Sequence, residues 1–236
     1  MTDDVRPGSG EMFDAIARRY DLLNRLMSFG MDISWRRKAV RALLLKDATA
    51  PRVLDVATGT GDVAIEVARQ LKAATIDGID PSANMLEIAR RKATAKQLDS
   101  RLTFHQGDAQ KLPFDDASYD GALIAFGIRN VPDRLQGLRE MRRVVRPGHR
   151  VVVLELTEPR RGLLSRAARL YIHGVVPRMG ALLSGRREYR YLQQSIAAFP
   201  PPAEFAQMMT DAGLIDVTWR LLGFGTVGLH SGVVPR

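Results

Sequence analysis

The chain of 236 residues contains no cysteine, which excludes disulfides, thiolate metal sites and a cysteine nucleophile. Its four histidines are scattered without metal-ligand spacing, so we expect no metal. No apolar run approaches the ~20 residues that a membrane span needs. Aromatic residues form only 6% of the chain, too few for a base-stacking surface, and we expect no nucleic-acid partner. Because the first ten residues are polar and do not resemble a signal peptide, a cytoplasmic location is the default.

Apolar runs that could form strands alternate along the chain with amphipathic stretches, the order that produces a parallel sheet with helices on both faces. The predicted strands are 52–57, 74–79, 101–106, 118–125 and 149–156, and the predicted helices are 62–72, 82–97 and 133–145. After a helix at 202–212, strands at 215–222 and 225–232 are expected to form an antiparallel edge. The sequence therefore predicts a doubly wound α/β fold, Rossmann-like, in a single domain over 11–236 that includes an N-terminal helical region at 11–46. Residues 1–10 are predicted to be a flexible tail.

A glycine-rich turn follows the first strand and is the most informative motif in the chain. Gly59 and Gly61 flank Thr60, which allows the backbone to turn tightly and to approach a ligand. Asp55 lies at the end of the preceding strand, and Asp62 opens the next helix. Such a strand, turn and helix is typical of a site for a nucleotide cofactor.

Carboxylates follow the next two strands at the same edge of the predicted sheet. Asp80 comes twenty residues after Thr60, where an acidic side chain can bind both ribose hydroxyls of an adenosine. Asp108 and Ala109 follow the third strand and are well placed for an adenine amino group. The turn, Asp80 and Asp108 together predict an adenosine-containing ligand.

Two cofactors fit this pattern. The spacing Gly59, Gly61, Ala64 matches the dinucleotide fingerprint, which keeps a nicotinamide-dependent oxidoreductase open. S-adenosylmethionine is favoured because the Asp55 carboxylate suits the ammonium of a methionine moiety. The charge of Asp62 would also disfavour a nearby pyrophosphate but is harmless to a sulfonium.

Several blocks of the sequence, from about residue 11 to the end, together match the pattern of one known family. The most specific are Tyr20–Gly30 and Phe126–Val131. The others are Leu112–Phe114, Arg146–Gly148, Tyr189–Leu192, Ser195–Ile196 and Gly228–His230. In these blocks the chain resembles the ubiquinone/menaquinone biosynthesis C-methyltransferases. The resemblance implies a class I methyltransferase that uses S-adenosylmethionine to methylate a ring carbon of a prenylated quinol, with demethylmenaquinol the expected substrate. Another phenolic or benzoquinol substrate, or a subunit that binds the cofactor without turnover, stays open.

For such a reaction, the loop after the fourth strand supplies the candidate catalytic residues. Arg129 could stabilise a developing phenolate, and Asn130 could hydrogen-bond a ring oxygen. Tyr20 could orient the acceptor, and His230 could transfer a proton. Each also has a structural interpretation: helix packing for Tyr20, turn and cap geometry for Arg129 and Asn130, and strand packing for His230.

Position 125 departs from the family pattern. Ala125 stands where many family members have a serine linked to cofactor binding. The serine contact is therefore expected to be missing here or replaced by the backbone of Ala125.

Positive charge is concentrated in one segment in the second half of the chain. Residues 160–190 hold eight arginines and one glutamate, so they carry +7 of the net charge of +9. Apolar residues between the arginines predict an amphipathic helical insertion that contacts an anionic membrane surface. A solvated helix face packed on the core is the plain alternative. The resemblance also allows a homodimer.

Overall fold

The computed structural model describes residues 21, 24–25, 27–45, 48–158 and 186–236, with backbone alone for 186–190. The predicted tail at 1–10, Tyr20 and most of the arginine-rich segment at 160–190 lie outside the described residues. Of the predicted helical region at 11–46, the described part contains one complete helix, α1 (Met31–Ala42).

Seven strands form one sheet in the order β3-β2-β1-β4-β5-β7-β6. Their bounds are β1 (Arg52–Val56), β2 (Thr75–Asp80), β3 (Leu102–Gln106), β4 (Tyr119–Ala125), β5 (Val145–Leu156), β6 (Ile215–Leu222) and β7 (Val227–Val233). The first five strands are parallel, and β7 pairs antiparallel with both β5 and β6. The predicted doubly wound, mostly parallel sheet with an antiparallel edge is confirmed.

Helices cover both faces of this sheet. They are α2 (Asp62–Gln70), α3 (Ala83–Ala95), α4 (Arg134–Val144), α5 (Arg186–Ala197) and α6 (Pro202–Asp211). One buried apolar cluster lies between the sheet and α1, α2 and α3, and a second lies between the sheet and α4 and α6. Because β1 and β4 are buried on both faces, they are nearly continuous apolar runs.

Short polar side chains begin two of these helices. The Ser82 hydroxyl accepts a hydrogen bond from the Met85 amide at 3.1 Å, and the Asp133 carboxylate accepts one from the Gln136 amide at 2.9 Å. The predicted start of α4 at Pro132-Asp133 therefore has a physical cause.

The predicted boundary between α4 and β5 is wrong. We expected Pro147-Gly148 to stop a helix at 145 and a strand to begin at 149. Instead α4 ends at Val144 and β5 begins at Val145, which pairs with Tyr119. The register shifts between Tyr119 and Gly121, and this irregularity accommodates Pro147 and the positive φ of Gly148 within the strand.

The order of the strands determines where a ligand can bind. β2 lies on one side of β1 and β4 on the other, so the chain changes direction in the sheet between β1 and β4. A crevice forms outside the carboxyl ends of the strands at such a switch point. The glycine turn after β1 and the Phe126–Val131 block after β4 both lie there. No helix among the described residues is long and apolar enough to cross a bilayer.

Candidate active site at the carboxyl ends of the strands

The two glycines of the turn have different tasks. Both have positive φ, +54° at Gly59 and +80° at Gly61. A Cβ added to Gly61 would lie 3.0 Å from the Ala89 Cβ, so Gly61 allows the turn to pack against α3. A Cβ added to Gly59 would meet no atom within 4 Å. The backbone of Gly59 therefore faces open space that a ligand can approach.

Asp55 stabilises the glycine-rich turn through buried hydrogen bonds. Its carboxylate is buried and accepts hydrogen bonds from the Thr58 hydroxyl at 2.6 Å and from the Ala64 amide at 3.0 Å. Burial raises the pKa of Asp55 to about 7, although both hydrogen bonds favour the ionised form. These contacts give Asp55 a role in shaping the turn, and its predicted contact with a methionine ammonium stays a prediction.

Asp80 joins the loops that follow β1 and β2. Its carboxylate accepts hydrogen bonds from the Gly59 amide at 2.8 Å and from the Ser82 amide at 2.9 Å. The contact with Gly59 places this carboxylate directly beside the open space at the turn. The predicted ribose-binding residue and the predicted turn are thus in contact.

The loop after β3 joins the same edge of the sheet. The Gly107 amide donates to the Asp80 carbonyl at 3.1 Å, which brings the neighbouring Asp108 to this edge. The exposed Asp108 carboxylate accepts a hydrogen bond from the Gln110 amide at 2.9 Å, whereas the Ala109 side chain packs in the second apolar cluster. An adenine contact at Asp108 and Ala109 stays a prediction.

The loops after β1 and β4 touch each other in strained conformations. Ala57 has φ 52° and Phe126 has φ 60°, values that residues with a side chain rarely adopt. A Cβ on Gly127 would lie 2.5 Å from the Ala57 Cβ, so this glycine is required by the close approach of the two loops. Ala125, half-buried at the end of β4, leads into this contact. Strain of this kind clusters at functional sites.

Arg129 forms a buried ion pair with Glu155, a residue that the sequence did not single out. The Arg129 guanidinium donates to the Glu155 carboxylate at 2.6 Å and to the Phe126 carbonyl at 2.7 Å. The same carboxylate accepts from the backbone amides of Arg129 and Leu156 at 3.1 and 2.7 Å. Arg129 therefore holds the loop after β4 in shape, which supports its structural interpretation.

Asn130 is oriented by Tyr191, which the sequence analysis also did not single out as a site residue. The Tyr191 hydroxyl of α5 donates a hydrogen bond to the Asn130 side-chain oxygen at 2.9 Å. Because the oxygen accepts this bond, the amide nitrogen of Asn130 is directed as a donor. Asn130 and Tyr191 thus form a polar pair beside the switch point, where an acceptor ring oxygen could bind.

Sequence signals for these two partners existed. Glu155 is the lone carboxylate in β5 and directly follows the buried apolar run 151–154, so its burial implies a partner. Tyr191 lies in one of the blocks that carry the family resemblance.

Thr60 and Asp62 face the N-terminal segment. The buried Thr60 hydroxyl donates to Asp21 at 2.6 Å, and Asp62 pairs with Arg36 at 3.0 Å and Lys92 at 2.8 Å. Burial opposes ionisation of Asp62, but the charges of Arg36 and Lys92 outweigh it and lower its pKa. Because Arg36 and Lys92 match its charge, Asp62 by itself does not distinguish a sulfonium from a pyrophosphate.

His230 lies away from this crevice. It is buried on β7, where its Nε2 lies 3.0 Å from the Pro202 carbonyl and its ring packs edge-on against Phe205 at 5.0 Å. Burial lowers its pKa to about 4, so the ring is neutral at physiological pH. These surroundings favour the structural interpretation over proton transfer.

The burial of His230 predicts a contribution to stability that depends on pH. Because its pKa falls from 6.5 to about 4 on folding, the unfolded chain binds the extra proton first. The contribution of neutral His230 is complete above pH 6.5 and is lost as pH falls toward 4. We expect this contribution to fall by about 2 kcal/mol between pH 7 and pH 5, measured by urea unfolding as the difference between the unmodified protein and His230→Gln. The raised pKa of Asp55 changes stability in the opposite direction, but equally in both proteins. His230→Gln should remove this part of the pH dependence, and an unchanged slope would contradict it.

Comparisons with known proteins agree with this geometry. The model of the ubiE/COQ5 methyltransferase family matches residues 2–234. A demethylmenaquinone methyltransferase of Deinococcus radiodurans is 50% identical over 244 aligned residues, covering 98% of this chain and 99% of the relative. A ubiquinone/menaquinone biosynthesis C-methyltransferase UbiE of Syntrophotalea carbinolica is 47% identical, covering 98% of this chain and 97% of the relative.

Solved structures show the same fold at low sequence identity. A SAM-dependent methyltransferase of Aquifex aeolicus matches with a TM-score of 0.65 at 19% identity, covering 94% of this chain and 98% of that one. An S-adenosyl-L-methionine-dependent methyltransferase of Methanococcus maripaludis matches with a TM-score of 0.68 at 14% identity, covering 100% of this chain and 98% of that one. The Rossmann-like methyltransferase fold is therefore shared.

Proposed function

Because the chain belongs to the ubiE/COQ5 methyltransferase family, we propose that it transfers a methyl group from S-adenosylmethionine to a ring carbon of a prenylated quinol, demethylmenaquinol. The observation that carries this proposal is the contact between two loops. The loop after β1 offers an open glycine backbone beside Asp80, and the loop after β4 offers Asn130 with Tyr191. Relatives at 47–50% identity carry names of the same activity.

The residues at the turn fit the cofactor. Gly59 leaves space for a ligand, and the Asp80 carboxylate beside it would hold the ribose. Asp108 and Ala109 would lie at the adenine, and the backbone at Ala125 would replace the serine contact of other family members. When bound, S-adenosylmethionine supplies a methyl group that is already activated on a sulfonium. The protein therefore has mainly to orient the acceptor and exclude water.

The residues after β4 would handle the acceptor. A quinol carbon becomes nucleophilic when the neighbouring hydroxyl loses its proton. Asn130, oriented by Tyr191, would donate a hydrogen bond to the ring oxygen on which negative charge develops. Arg129, whose charge is matched by Glu155, would hold the loop that carries Asn130 in position. Tyr20 is proposed to orient the ring from the N-terminal segment.

An acceptor panel tests the proposal. The enzyme is incubated with methyl-labelled S-adenosylmethionine and reduced demethylmenaquinone, a demethylated benzoquinol or a catechol, and products are separated by mass. Label in the naphthoquinol supports the proposed substrate. Label mainly in another acceptor would show that this acceptor, and not demethylmenaquinol, is the substrate. Binding of S-adenosylhomocysteine without turnover on any acceptor would instead indicate a non-catalytic subunit.

We also propose that the protein docks on an anionic membrane surface, where a long-tailed quinol resides. The charge of segment 160–190 motivates this proposal. At the start of α1, the described residues add an exposed apolar group, of which Phe29 is 69% exposed. Exposed apolar side chains of this kind suit contact with a bilayer interface.

Liposome binding should therefore rise with anionic lipid content and fall with salt, because surface charges are screened over about 10 Å at 0.1 M. Replacing Arg160, Arg161, Arg166 and Arg169 by glutamine should reduce vesicle binding and turnover of a long-tailed quinol but spare a short-tailed analogue. Cosedimentation and turnover assays measure the two effects. Equal losses of turnover on the long-tailed and the short-tailed substrate would indicate that the segment is a solvated lid and not a membrane contact.

A further inference from the structure

Charged side chains connect the N-terminal segment to the cofactor turn. We call this group the N-terminal clamp. It contains three carboxylates, three cations and one hydroxyl: Asp21, Asp32, Asp62, Arg25, Arg36, Lys92 and Thr60. Its charges balance, although its members come from the N-terminal segment with α1, from the glycine-rich turn and the start of α2, and from the last turn of α3.

Lys92 occupies the centre of the clamp. Its ammonium lies 2.5 Å from the Asp21 carboxylate and 2.8 Å from that of Asp62, and it donates to the Thr60 hydroxyl at 3.0 Å. The Thr60 hydroxyl in turn donates to Asp21 at 2.6 Å. One lysine of α3 thus touches both the N-terminal segment and the turn that faces the cofactor.

Arg36 extends the clamp toward the acceptor side. Its guanidinium donates to Asp32 at 2.6 Å and to Asp62 at 3.0 Å, and its central carbon lies 5.8 Å from the Phe126 ring centroid. Phe126 is the strained residue at the start of the loop that carries Asn130. The clamp therefore reaches both loops of the crevice.

Lys92 and Arg36 contribute to the clamp in different ways. Asp62 retains Arg36 if Lys92 is removed, whereas Asp21 contacts Lys92 and Thr60 within the described part of the chain. The Lys92 side chain is one-quarter exposed, so its ion pairs are less screened than those of a surface lysine. Loss of Lys92 should thus act mainly on Asp21.

We propose that Lys92 is a positioning residue that fastens the segment carrying Asp21 to the cofactor turn and thereby sets the affinity for the acceptor. This inference rests on the proposed function. Asp21 directly follows Tyr20, the residue expected to orient the quinol. Because the Thr60 hydroxyl is engaged with Asp21, the turn presents its backbone to the cofactor. Breaking the clamp should therefore affect acceptor binding more than cofactor binding.

Lys92→Met tests the inference, with Lys96→Met as control. Lys96 ends the same helix, and its side chain is exposed. Lys92→Met should raise KM for a short-tailed reduced demethylmenaquinone about 10-fold, the loss of about one charge-assisted hydrogen bond. The Kd for S-adenosylhomocysteine, measured by calorimetry, should change less than about twofold. Lys92→Arg should return KM close to the value of the unmodified enzyme, and Lys96→Met should leave KM unchanged.

A merely structural role predicts a different pattern. General destabilisation reduces the fraction of active enzyme, which lowers the apparent kcat without changing KM. An unchanged KM in Lys92→Met, or an equal loss of cofactor affinity, would overturn the proposal.

Limited trypsin digestion gives a readout that does not depend on turnover. Lys92→Met should increase cleavage before Met31, detected by mass spectrometry, whereas Lys96→Met should not. Asp21→Asn should produce the same increase, and the double variant should add little, because both changes break one contact. If the unmodified protein methylates no quinol, the proposed function fails while digestion still tests the clamp. Equal cleavage in all variants overturns the clamp itself.

Discussion

Replacing Arg129 with methionine is expected to destabilise the fold by about 3–5 kcal/mol, because it leaves the Glu155 carboxylate buried without its cation. Glu155 has no exposed surface, and the Arg129 side chain is only 7% exposed. Urea unfolding followed by circular dichroism measures the loss as a lower transition midpoint. Adding Glu155→Gln should restore much of the stability, since glutamine keeps an oxygen for the backbone amides but carries no charge.

Arg91 provides the matched control for this experiment. It pairs with Glu87 at 2.9 Å on the surface of α3, where both side chains are more than half exposed. Arg91→Met should cost less than about 1 kcal/mol. If Arg129→Met costs no more than this control, the buried pair does not hold the loop after β4.

The expected loss of stability has to be separated from any catalytic effect of Arg129. Rates of an Arg129 variant have to be compared at equal folded fraction, and the doubly substituted enzyme allows this. If the positive charge stabilises a developing phenolate, kcat should still fall by about 10²-fold in that enzyme while affinity for S-adenosylhomocysteine is retained.

Replacing Asp80 with alanine is expected to weaken S-adenosylmethionine binding by about 3 kcal/mol, or about 100-fold, since two hydroxyl contacts to a charged acceptor are lost. The carboxylate also accepts from the amides of Gly59 and Ser82, so part of the loss would reflect a looser turn. Asp80→Asn separates the two effects, because an amide oxygen can still accept from Gly59.

Calorimetry with S-adenosylhomocysteine measures both Asp80 variants. We expect Asp80→Asn to bind more tightly than Asp80→Ala and more weakly than the unmodified enzyme. Asp99→Ala, a change on the exposed surface after α3, serves as the control and should leave the Kd unchanged. A Kd of Asp80→Ala within twofold of the control would remove Asp80 from the cofactor site.

The sequence predicts the fold well where one periodic signal dominates. Strands β1 and β4 are nearly continuous apolar runs, and α4 begins after a capping aspartate, so these elements lie within one or two residues of their predicted bounds. The start of β5 was missed because Pro147-Gly148 signals a break locally, whereas pairing of Val145 with Tyr119 extends the strand.

The sequence predicted which residues form the site, but not the side chains to which Arg129 and Asn130 are hydrogen-bonded. Gly59 and Asp80 are local signals at strand ends, and the structure brings them into contact. The pairs Arg129 with Glu155 and Asn130 with Tyr191 join residues 26 and 61 positions apart, so they depend on the tertiary fold. Lys92 gave no sequence signal at all, because a lysine on an amphipathic helix ordinarily faces solvent.

Transfer of a labelled methyl group from S-adenosylmethionine to reduced demethylmenaquinone tests the central claim most directly. The product is examined by carbon NMR, which distinguishes a methyl group on a ring carbon from one on oxygen. The proposed reaction predicts one methyl group per ring, on the carbon beside the hydroxyl, with the quinol and not with the oxidised quinone. Label on oxygen, or no label in a folded enzyme that binds S-adenosylhomocysteine, would contradict carbon methylation of the quinol.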